Sequence, residues 1–165
     1  MAETEGHEQH EQHQHNVHNL RKPVVDFGFK FINATHRAVL GLTGGRYPKT
    51  LLGMPAVELH TIGRKTGERR TTMLTTPVHD DGRIVLVASK GGDDRNPQWY
   101  RNLTANPDVE ITMEGKTLAM RARTASPEEK AVLWPDIVAA YKGYAGYQKR
   151  ADRDIPVVIC EPRRA

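Results

Sequence analysis

"DVEITMEGKTLAMRART", residues 108–124, reads as two strands and the turn that joins them. Val109 and Ile111 alternate with Asp108, Glu110 and Thr112, the two-residue period of a strand with one face in a core. Glu114-Gly115 falls between the two segments as a hairpin turn. Moving outward, "TTMLTTPVHD" (71–80) and "RIVLVAS" (83–89) flank Asp81-Gly82 in the same way and predict a second hairpin. "AVELHTI" (56–62) and "IPVVIC" (155–160) complete six expected strands. Two helices interrupt them. One is expected near Asn96-Pro97, with the proline at its first position. The other is expected at Ser126, where "SPEE" makes a capping box with Glu129, and Pro135 should break or kink it. Short antiparallel connections with few helices predict a mainly β (α+β) chain, a small closed or half-open barrel. The long helices that a doubly wound sheet places between its strands are missing.

The chain of 165 residues is long enough for one domain with a substantial core. No apolar run approaches the roughly 20 residues of a membrane-spanning helix, and the acidic, histidine-bearing start does not read as a signal peptide. The single cysteine, Cys160, excludes an intrachain disulfide and fits a reducing, cytoplasmic compartment. It lies in an apolar run and is expected to be a buried, inert thiol.

Residues 1–20 hold no Lys or Arg and four glutamates, and are expected to form a disordered, acidic, His-rich tail. Residues 21–165 are expected to form one domain with 24 basic against 16 acidic residues, a balance that favours anionic partners. Within "PVVDFGFKFINATHRAVLGL" (23–42), Val24, Phe27, Phe31, Thr35, Val39 and Leu42 recur at helical spacing and predict an N-terminal amphipathic helix. Such a helix packs on its own core, or makes peripheral contact with a membrane surface.

Three stretches carry candidate chemistry. "GRKTGERR" (63–70) gathers Arg64, Lys65, Arg69 and Arg70 around two glycines between two strands. Arginine forks and a lysine suit phosphate or carboxylate, and a solvated turn is the competing reading. By strand alternation, Arg69 and Arg70 should point to opposite faces. "ASKGGDDRNPQWYRN" (88–102) leaves a strand through Ser89, Lys90 and Gly91 and enters a helix at Pro97, an anion-friendly arrangement. Of Trp99 and Tyr100, one is expected in the core. "AAYKGYAGYQKR" (139–150) repeats tyrosine at 141, 144 and 147, and Gly143 and Gly146 argue there against a regular helix. The tyrosines suit a pocket wall, with flat faces and hydroxyl handles. No catalytic triad or closed metal spacing is visible, so the chemistry is expected to belong to a bound cofactor.

Together "LTGGR", "HTIGRKTGERRTTML", "LVASKGGDDRNPQWYRNLTANPDVEI" and "LWPDIVAAYKGYAGYQKRADRDIPVVICEP" resemble the deazaflavin-dependent nitroreductases, actinobacterial oxidoreductases that include the F420H(2)-dependent quinone reductases. The resemblance runs from the N-terminal helix to the C-terminus. It implies a split β-barrel of the FMN-binding-like kind. It implies coenzyme F420 as cofactor and hydride transfer to a small-molecule acceptor, a quinone, nitro compound or activated alkene. It implies that Arg64, Lys65 and Arg70 hold the cofactor's anionic tail, with Ser89, Lys90, Gly91, Pro97, Gln98 and Trp99 completing the cofactor site. It places Tyr141, Tyr144 and Tyr147 toward the substrate. The alternatives are an FMN oxidoreductase on the same barrel, a non-catalytic cofactor carrier, and a nucleic-acid-binding barrel. The last is disfavoured because no strand face interleaves aromatics with cations. Oligomeric state stays open.

Overall fold

The computed structural model describes residues 49–80 and 82–163. The expected tail and amphipathic helix lie outside these residues. The order of elements is β1 (Thr50–Leu51), β2 (Met54–Ile62), β3 (Arg69–Thr75), β4 (Val78–Asp80), β5 (Arg83–Val87), α1 (Gln98–Ala105), β6 (Asp108–Met113), β7 (Lys116–Thr124), α2 (Pro127–Ala140), α3 (Gly143–Arg150) and β8 (Val157–Pro162). One curled antiparallel sheet runs β1-β2-β6-β7-β8-β5-β4, with β3 also paired to β2. This is the mainly β, half-open barrel expected.

The alternating strands have one buried face. Val57 and Leu59 of β2, Val109 and Ile111 of β6, and Met120 and Ala122 of β7 share a core with Trp99 and Leu103 of α1. β5 and β8 are buried on both faces. Ile84, Leu86, Val158 and Cys160 enter that core. Val85, Val87, Val157 and Ile159 enter a second one with Leu133, Ile137 and Tyr144. Double-sided burial explains why "RIVLVAS" and "PVVIC" are continuous apolar runs, where β6 and β7 alternate. Cys160 is fully buried, and burial pushes its thiol up to about 12, so it stays protonated and inert.

The hairpin turn at Glu114-Gly115 has both residues at positive φ, 51° and 79°, between the partners Met113 and Lys116. That pair of angles gives the turn twist that strands favour. A further hairpin, β1–β2, was not expected from the sequence. It turns through Leu52 and Gly53, again both at positive φ.

Four local expectations are corrected. Residues 71–80 are two strands, because Pro77 lacks a backbone donor and the chain turns a corner there. The Thr76 hydroxyl fastens that corner by donating to the carbonyls of Val78 and Val85. Pro97 is the N-cap of α1, and the helix itself starts at Gln98. α2 has the expected capping box at Ser126 and Glu129 but runs through Pro135 to Ala140. The carbonyl deprived of its partner by Pro135 belongs to Ala131, on the helix's exposed side, where water can satisfy it. Residues 143–150 do form a helix despite two glycines, since neither Gly143 nor Gly146 adopts positive φ.

Candidate active site

The β2–β3 connection folds onto itself. Gly63 N–H donates to the Glu68 carbonyl at 2.8 Å, and Gly67 N–H to the Gly63 carbonyl at 2.8 Å. A Cβ at Gly63 would lie 2.8 Å from the Thr66 hydroxyl and 3.3 Å from the Glu68 carbonyl, so a larger residue there would have to displace Thr66. The closed loop projects Arg64 and Lys65 to the rim of a cleft of about 510 Å³, bounded also by Arg70, Thr72, Gln98 and Trp99. α1 supplies the opposite wall. Its Gln98 and Asn102 stand four residues apart on one helix face. Arg64 donates from Nη1 to Gln98 Oε1 at 2.8 Å and from its backbone N–H to Asn102 Oδ1 at 3.3 Å. Neutral amides thus orient the guanidinium without cancelling its charge. Lys65 makes no ion pair among the described residues, and Arg70 pairs with Glu68. Arg69 turns away from the cleft and donates to Glu110 of β6 at 2.6 Å.

Beyond β5, the backbone makes a turn of a kind that suits an anion. Ser89 is right-handed (φ −71°, ψ −37°), while Lys90 and Gly91 have φ of 45° and 64°. A right-handed residue followed by a left-handed one turns successive N–H groups to one side, forming a concavity for an anion. Asp93 steadies this turn. Arg95, by side-chain and then backbone hydrogen bonds, and Lys90, by its charge, outweigh burial and hold the Asp93 carboxyl well below the usual carboxylate range.

Tyr141, Tyr144 and Tyr147 form one cluster with ring centroids 5.5–6.2 Å apart. Gly143 lies directly under the Tyr141 ring, where a Cβ would overlap the ring atoms. Tyr144 is buried, and its hydroxyl lies 3.3 Å from the Thr75 hydroxyl of β3. Burial raises the Tyr144 phenol above its ordinary value. Burial, then the Tyr141 hydroxyl, push Tyr147 up to about 12. Both phenols therefore keep their protons at neutral pH.

The structure brings Arg64, Lys65, Arg70, Gln98 and Trp99 to one cleft. Ser89, Lys90, Gly91 and Pro97 do not line that cleft: Pro97 caps α1, and the Ser89–Gly92 turn packs against α3, where Arg150 Nη1 donates to the Gly91 carbonyl. Trp99 is the core aromatic, whereas Tyr100 is half-buried and shares a hydrogen bond with Thr124. Sequence reading passed over Asn102, Thr75, Arg150 and Arg153. Asn102 had a signal in its i+4 spacing from Gln98. The others are brought in by long-range pairing and carry no local mark.

The donor set of the cleft fits a polyanionic organic group. Among the described residues two of its three cations have no carboxylate partner, and Trp99 stands in the wall beside them. Fold and site together define a half-open β-barrel with a cationic cleft suited to an anionic organic ligand. Comparison with known proteins gives the particular family. The model of the F420H(2)-dependent quinone reductases matches residues 29–162. A Mycobacterium tuberculosis protein named F420H(2)-dependent quinone reductase is 42% identical over 132 residues, covering 78% of this chain and 88% of its own. The solved structure of an F420-H2 dependent reductase (FDR-A) superposes with a TM-score of 0.60 at 42% identity, over 65% of this chain and 94% of that one. Another solved chain, described as a domain-swapped dimer, gives a TM-score of 0.61 at 36% identity, over 81% of this chain and 99% of that one. The chain belongs to the F420H(2)-dependent quinone reductase family and is an F420-dependent oxidoreductase. Among the described residues, no helix is long and apolar enough to cross a membrane.

Proposed function

We propose that the cleft between the β2–β3 loop and α1 binds the anionic tail of coenzyme F420, and that the tyrosine cluster at the α2–α3 junction and on α3 faces the small-molecule acceptor. The observation that carries this reading is the convergence of Arg64, Lys65 and Arg70 beside Trp99. Arginine forks match phosphate and carboxylate oxygens in pairs, and Lys65 adds a point charge. The N–H groups of Ser89, Lys90 and Gly91 hold a further electronegative group of the cofactor, and Pro97, Gln98 and Trp99 wall its groove.

When bound, reduced F420 supplies the hydride. The protein orients the acceptor, excludes water and provides the proton. A quinone that gains a hydride develops negative charge on oxygen, and a preorganised hydroxyl stabilises that charge. Tyr144, aligned by Thr75, donates this hydrogen bond and then the proton, which is regained from solvent. Tyr141 and Tyr147, both half-buried, form the wall toward the acceptor. Nitro compounds and activated alkenes are acceptors of the same electrophilic kind. A cytoplasmic setting accords with the single buried thiol.

A panel of quinones, nitroaromatics and enones, mixed with reduced F420 and separately with reduced FMN, tests the reading. The expected outcome is oxidation of reduced F420 that depends on quinone, with no comparable reaction from FMN. A protein that binds F420 yet oxidises none of it with any acceptor is a carrier, and this reading then fails.

A further inference from the structure

The turn at Ser89–Gly92 holds one residue, Lys90, in a conformation that a full side chain disfavours. Lys90, with a full side chain, sits at φ 45°, and Gly91 and Gly92 follow at 64° and 82°. A non-glycine residue in this region is disfavoured and persists only where its surroundings over-determine it. The surroundings here come from the segment that follows the tyrosine helix. Arg153 Nη2 donates to the carbonyls of Ala88 at 2.9 Å and Ser89 at 3.2 Å, and its Nε donates to Asp93 at 3.0 Å. Arg150 Nη1 donates to the Gly91 carbonyl at 2.9 Å, and Asp152 N–H to Asp94 Oδ1 at 2.9 Å. A Cβ at Gly92 would meet the Tyr147 carbonyl at 2.9 Å, so the turn is seated directly on α3.

Arg153 makes no ion pair with a carboxylate among the described residues, and its Nη1 is buried without a partner. Burial lowers its pKa, and the carboxylates of Asp93 and Asp94 oppose that shift. A guanidinium spent on backbone carbonyls in this way contributes little as a salt bridge. It draws the carbonyls of the turn inward, which leaves the N–H groups of Ser89, Lys90 and Gly91 on the other side.

We propose that Arg153 is a positioning residue for the cofactor. Its guanidinium locks the Ser89–Gly92 turn in its anion-binding shape and fixes that turn to the tyrosine helix, so that cofactor and proton donor are held as one unit. The inference rests on the assignment of this turn to the cofactor. Lysine does not replace arginine in this role, because one ammonium does not span three carbonyls in a fixed fork.

The experiment combines F420 fluorescence titration with hydrogen exchange on wild type, Arg153→Met, Arg153→Lys and the turn variant Gly91→Val. Both Arg153 variants should bind F420 about tenfold more weakly or worse, the equivalent of about 1.4 kcal/mol. The KM for reduced F420 should rise, with kcat at saturating cofactor much less affected. Exchange should quicken at the amides of residues 89–92 and stay unchanged in β2 and β6. If Arg153→Met fails to fold, Arg153→Lys carries the test. Normal F420 affinity in the Arg153 variants, with Gly91→Val weakened, overturns the role of Arg153 alone. Normal affinity in Gly91→Val removes the turn from the cofactor site.

Discussion

The hydroxyls of Tyr144 and Thr75 lie 3.3 Å apart, which ties the tyrosine cluster to the strand that begins in the cationic cleft. Arg70 and Thr75 are five residues apart on β3, about 17 Å along an extended strand. The strand therefore spans from the cations of the cleft to a protonated phenol, the separation that an elongated cofactor with its charge at one end would need. Tyr144→Phe keeps the buried ring and removes the hydroxyl. Turnover should fall roughly 100-fold, with F420 affinity unchanged and stability lowered by about 1 kcal/mol or less. Thr75→Val should give a smaller loss of the same kind. Steady-state kinetics beside fluorescence titration separate the two effects, and unchanged turnover with every acceptor takes Tyr144 out of the mechanism.

The two glycines of α3 should respond in opposite ways to alanine. A Cβ at Gly146 meets nothing within 4 Å, so Gly146→Ala should stabilise by about 0.5–1 kcal/mol through helix propensity. A Cβ at Gly143 overlaps the Tyr141 ring. Gly143→Ala should therefore destabilise by about 1–3 kcal/mol, displace Tyr141 and lower turnover. Denaturant midpoints measure the stability changes, and equal shifts in both variants would contradict the packing described.

This pair also shows where sequence reading stops. Two glycines in eight residues argue against a helix on propensity, yet packing against Tyr141 makes Gly143 a requirement of the helix. Pro135 likewise reads as a break, but its unpaired carbonyl faces solvent. The hairpin at Glu114-Gly115 and the cap at Ser126 were legible because turns and caps are local. The cationic loop was legible as chemistry, and strand alternation placed Arg69 and Arg70 apart, as their partners show. Asn102 and Arg153 were not, because residues 38 and up to 65 positions away in sequence define what they do.

Asp93 makes stability depend on acid. Its folded pKa lies well below the usual carboxylate range. The contribution is thus present in full above the unfolded pKa and is lost as pH falls through the folded one. Wild type should lose stability on acidification below about pH 4, and Asp93→Asn should lose less over the same range although it starts lower. Urea midpoints from pH 6 to pH 2.5 check this, and parallel curves for the two proteins would exclude Asp93 as a source of the slope.

Titration of the fluorescent cofactor reports whether the cleft at Arg64 and Lys65 holds F420. Wild type should bind saturably, with affinity that weakens as salt is raised, because the cleft is exposed to solvent. Arg64→Ala and Lys65→Ala should each bind about tenfold more weakly, keep the wild-type melting temperature and lose part of the salt dependence. Wild-type affinity in both variants would contradict the account.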